Sequence, residues 1–140
     1  EKADESKTIK MALIHDLAEV RGGDRELMNK IYGGPIKEIK IIKEISKGHN
    51  LKNFQMEKLI RELFQGKTKE AKIVEDADML SEMLMEKDCL ELGNQKAQKW
   101  LDWSLKHLKT PIGKKLGRQI IKKDSDEWWL KIIRKYLKNI

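Results

Sequence analysis

The chain has 140 residues, a length that fits one domain spanning 1–140, and carries a net charge of +7 with 38% charged and 39% hydrophobic residues. Its apolar residues recur at helical spacing, which excludes a disordered chain and a strand-built one. No apolar run approaches the ~20 residues that span a bilayer, no signal-peptide pattern opens the chain, and the single cysteine, Cys89, excludes an internal disulfide. A cytoplasmic location and no membrane partner are expected.

Lys2 to Arg21 reads as the first helix, with Asp4 or Ser6 as its N-cap and Gly22-Gly23 stopping it. Within it, Met11 to Val20 is apolar except for His15, Asp16 and Glu19, which fall on one arc of about 100°. Burying three ionisable groups on one face is costly unless they are paired or hold a cation. Imidazole and carboxylate are common divalent-metal ligands; side-chain hydrogen bonding near a helix end is the plainer account. Asp24, after the glycine break, is placed to cap a short helix from Arg25 to Tyr32 or to point back at the His15 face.

Gly33-Gly34-Pro35 breaks the chain again, and Pro35 suits the first turn of a third helix running to about Lys47, with Ile36, Ile39, Ile42 and Ile45 on its apolar face. Gly48-His49-Asn50 reads as a loop with His49 exposed. Asn53 to Gln65 gives a fourth helix that buries Met56, Leu59, Ile60 and Leu63 and ends at Gly66. Thr68 caps the longest helix, Lys69 to about Leu92, whose methionines read as core filling and whose Cys89 reads as a helix-packed thiol. Asp78 shares its face with Ala71, Val74, Ser81, Glu82 and Met85, whereas Asp76 points the opposite way. Helical geometry does not choose between these two acids as partners for the His15 face.

Asn94 to Leu108 is a sixth helix, carrying Trp100, Trp103 and, near its C-terminal end, His107 in a stabilising position against the helix dipole. Thr110-Pro111 starts another helix through Lys122. Asp124-Ser125 caps the last, whose Trp128, Trp129, Ile132, Ile133, Tyr136 and Leu137 exceed one stripe and predict a cover, from the domain itself or from a second subunit.

His15-Asp16-Leu17-Ala18-Glu19-Val20, then Gly23-Asp24, then Asp76-Ala77-Asp78-Met79-Leu80 resembles the HD-domain phosphohydrolase superfamily, and within it the 5′-deoxynucleotidase branch. That resemblance covers nearly the whole chain. It implies an all-α HD helical bundle of about seven or eight helices, a homodimer, and a nucleotide substrate. It implies one divalent metal, with His15, Asp16 and Asp78 as ligands, Glu19 as the catalytic glutamate, and Asp24 as the acid beside the sugar that helps prefer deoxyribose. With two carboxylate ligands, Mn, Co or Mg is favoured and Zn remains open. The family's first metal-binding His, on a helix before Glu1, is missing here, so the natural protein is expected to be longer. His49 and His107 sit in the wrong parts of the chain to replace it.

The expected activity is removal of the 5′-phosphate from deoxyribonucleoside 5′-monophosphates. The alternative is HD hydrolysis of another phosphoester, such as a nucleoside triphosphate, a cyclic nucleotide or an alarmone. A non-catalytic helical module that binds nucleic acid is the weaker reading, because the lysines are spread through every helix.

Overall fold

The computed structural model describes residues 2–33, 37–48 and 54–137, all helices and connections with no strand among them. In chain order the helices are α1 (Glu5–Ile14), α2 (Glu19–Gly22), α3 (Leu27–Tyr32), α4 (Glu38–Gly48), α5 (Met56–Gln65), α6 (Lys69–Glu91), α7 (Ala97–His107), α8 (Pro111–Lys122) and α9 (Glu127–Leu137). Seven of these have ten or more residues, and α2 and α3 are short segments. The expectations for Ile36, Pro35, His49 and Asn53 fall outside the described residues.

Two compact units divide the chain, Glu1–Glu75 and Asp76–Ile140, with the division falling inside α6. In the first unit, Met11 and Ile14 of α1, Ile42 of α4, Met56, Leu59, Ile60 and Leu63 of α5, and Ala71 and Val74 of α6 make one buried cluster. Each large apolar side chain taken from water into such a cluster contributes about 1.5–3 kcal/mol, which is what holds these short helices together. Lys7 of α1 adds a polar tie, with its Nζ 2.5 Å from Glu62 of α5 and 3.4 Å from Glu70 of α6. The hydrogen bond to Glu62 raises the Lys7 pKa and lowers that of Glu62.

In the second unit, Met83, Leu101 and Leu108 are buried, with Met79, Leu80, Leu105, Ile120 and Ile121 packed against them. The start of α8 is anchored from α6. Asp76, 4% exposed, accepts from the backbone N–H of Lys109 at 2.6 Å and from the N–H and hydroxyl of Thr110, both at 2.7 Å. Thr110 in turn caps α8 by accepting from the Gly113 N–H at 2.9 Å. A Cβ at Gly113 would collide with the Asp76 carboxylate, so the close approach requires glycine there.

Several expectations are corrected. The first helix does not run unbroken to Arg21: α1 stops at Ile14, and residues 15–18 form turns before α2. Asp24 does not cap α3, whose N-cap is Glu26 with no side-chain hydrogen bond. Of the methionines, Met83 is buried but Met85 is 68% exposed, and Cys89 is exposed rather than packed. The last helix, α9, keeps Trp128, Ile132, Tyr136 and Leu137 exposed, so the described residues of this chain do not supply the expected cover.

Candidate metal centre

The break after α1 is made by His15 itself. Its Nδ1 lies 2.6 Å from the Ala12 carbonyl, the acceptor that the Asp16 N–H would need to continue the helix. The backbone tightens instead into turns closed by Leu17 N–H to Ile14 O and Glu19 N–H to Asp16 O. A carbonyl can only accept, so Nδ1 carries the proton and Nε2 is left to face the acids. Asp16 Oδ2 is 2.8 Å from that Nε2.

Asp78 stands one helical turn beyond Val74, which is buried in the same cluster as Ile14, the residue before His15. His15, Asp16 and Asp78 each offer one ligand atom, and these atoms lie within 4.8 Å of one another. The donor set fits a divalent cation on two counts. One neutral nitrogen and two carboxylates suit a borderline-to-hard ion. The 2.8 Å separation of Nε2 and Oδ2 is also close to the ~3 Å between neighbouring ligands on an ion bound at about 2.1 Å. Asp76, the rival acid, is committed to Lys109 and Thr110.

Glu19, at the start of α2, is half-buried beside this set. Burial raises its pKa first, and the neighbouring charges of Asp16 and Asp24 raise it further. Glu38, in the first turn of α4, behaves in the same way: burial raises its pKa, Asp16 adds to the rise, and Lys30 opposes it. Thus Asp16, Glu19, Asp24 and Glu38 make one acidic surround, with Lys30 as partial counter-charge. The sequence reading missed Glu38, because it lies 22 residues beyond Asp16 and no spacing rule joins a helix-opening glutamate to a distant face.

Against families of known proteins, residues 1–119 match the HD domain. The chain belongs to the HD-domain family. HD domains are metal-dependent phosphohydrolases, and the His15-Asp16 pair followed by Asp78 supplies a candidate set for their metal. Residues 120–140, α9 included, lie beyond the matched part. No curated protein and no solved structure matched the chain. No described helix is long and apolar enough to cross a membrane.

Proposed function

We propose that this HD domain is a phosphomonoesterase that removes the 5′-phosphate from deoxyribonucleoside 5′-monophosphates. The observation that carries the reading is the convergence of His15, Asp16 and Asp78. These three residues would hold the cation. When bound, a divalent ion supplies Lewis-acid neutralisation of the phosphate charge.

The chain's own residues supply the rest. The Ala12 carbonyl fixes the imidazole of His15 in the tautomer that presents Nε2 as a ligand, which is how second-sphere groups orient metal-binding histidines. Glu19 sits one turn from His15, and its raised pKa suits a group that takes a proton from water and delivers it to the departing 5′-oxygen. Asp24, exposed in the segment between α2 and α3 and close enough to act on Glu19, is assigned to the sugar side. A ribose 2′-hydroxyl crowded against that carboxylate would be the source of deoxyribose preference.

The test is phosphate release from matched deoxyribo- and ribonucleoside 5′-monophosphates with Mn, Co, Mg or Zn, for the protein and its Asp16→Ala variant. Metal-dependent release confined to the deoxy substrates and lost in the variant is the expected outcome. Release from a triphosphate or a cyclic nucleotide alone would move the substrate to another phosphoester. Release that survives Asp16→Ala would overturn the site.

A further inference from the structure

The positive charge of the chain is unevenly placed. Residues 111–140 hold nine of the 30 lysines and arginines but only three of the 23 acids, so nearly the whole net charge of +7 resides there. Within that stretch α9 separates its residues sharply. At 100° per residue, Trp128, Ile132, Tyr136, Trp129, Ile133, Leu137 and Leu130 fill an arc of about 200°, and Lys131, Arg134 and Lys135 lie together on the opposite side with Glu127. Trp128, Ile132, Tyr136 and Leu137 are 61–70% exposed and Trp129 and Leu130 half-buried, so the described residues leave most of this apolar arc uncovered.

We propose that α9 is an interfacial helix that seats the protein on an anionic lipid surface. A wide apolar arc that carries aromatic rings and is backed by lysine and arginine is the pattern of helices that lie in the plane of a bilayer interface. The basic face meets anionic headgroups, while the aliphatic and aromatic side chains enter the headgroup–acyl boundary. With 11 residues, α9 is far too short to span a bilayer, so it lies on the surface. Its start is pinned to the end of α6: Glu91 accepts from the Ser125 N–H at 3.1 Å and from the Ser125 hydroxyl. This departs from the expectation of no membrane partner.

Two other occupants fit less well. Nucleic acid offers phosphates for the lysines but nothing that buries Ile132, Ile133 and Leu137. A second copy pairing helix to helix covers a stripe of about 100°, half of the exposed arc.

The experiment is co-sedimentation of the full chain with phosphatidylcholine vesicles containing phosphatidylglycerol, and with phosphatidylcholine alone. Two variants are compared, Trp128→Ser/Ile132→Ser and Lys131→Glu/Arg134→Glu/Lys135→Glu. All five positions are exposed, and helical circular dichroism checks that each variant is folded. The expected result is binding to the anionic vesicles that weakens with salt and falls at least tenfold in both variants. Absence of binding, or equal binding by both variants, overturns the proposal. So does a concentration-dependent dimer, or oligonucleotide binding, that is lost in the Trp128/Ile132 variant while vesicles are ignored.

Discussion

At the scale of single residues, His15 does two jobs with one side chain. Its Nδ1 takes the Ala12 carbonyl and ends α1, and the same bond turns Nε2 towards Asp16. Glu19 follows from the resulting turn, half-buried beside two other acids. Its pKa is raised in the folded state, so the folded protein holds that proton more tightly than the unfolded chain does. The stability contributed this way is complete below the unfolded carboxylate value and is lost as pH rises through the raised one. Once ionised, Glu19 therefore costs stability, and Glu19→Gln is expected to raise the melting midpoint of the metal-free protein above the pH at which that proton is lost. The same variant is expected to lose about 10²–10⁴ in kcat while keeping its metal-induced stabilisation. Thermal melts with and without Mn, beside initial rates, check all three expectations. A melting midpoint that falls would show that Glu19 serves packing rather than chemistry. The nearness of His15, Asp16 and Glu19 was legible because they lie within five residues of one another, although the continuous helix expected to carry them on one face is broken into turns at residues 15–18. Glu38 was not legible, because its proximity to Asp16 depends on how α4 packs.

At the scale of elements, several local cap and glycine signals held, although the expected Asp24 cap did not. Asp4 accepts from the Lys7 N–H at 2.9 Å, Gly66 ends α5 at a φ of 59°, and Thr110 with Pro111 opens α8. The expected long first helix failed because nothing between His15 and Ala18 is a glycine or proline; the breaker is a histidine side chain competing for a carbonyl. The Asp76 anchor was equally invisible, since its partners lie 33 and 34 residues away. Asp76 is buried and accepts three hydrogen bonds at the entrance to α8, so Asp76→Ala leaves two backbone donors and a hydroxyl without their acceptor. A loss of about 2–4 kcal/mol is expected, measured as a fall in the urea midpoint at constant m. Gly113→Ala is expected to destabilise the same junction, because its Cβ would push on that carboxylate. If Asp76→Ala leaves the midpoint unmoved while Gly113→Ala lowers it, the junction rests on packing rather than on the carboxylate.

At the scale of the whole molecule, charge separates two kinds of anion and cation recognition. A net charge of +7 repels cations in general, so divalent binding has to come from a local reversal of sign, and the surround of Asp16, Glu19, Asp24 and Glu38 provides one. The sequence showed lysines in every helix; that their excess over acids gathers in residues 111–140 emerges only when acids are counted beside them. A cation that binds the folded chain alone stabilises it by about 2.7 kcal/mol at a hundredfold excess over its Kd. For a chain of this length the melting midpoint is expected to rise on the order of 10 °C with saturating Mn. Asp78→Ala should remove most of that rise, as a ligand lost from a three-residue set leaves too few donors to outweigh the hydration of the ion. An equal rise in the wild type and in Asp78→Ala would mean that the stabilising ion sits elsewhere. A rise abolished by Asp16→Ala but kept by Asp78→Ala would reduce the centre to the first two ligands.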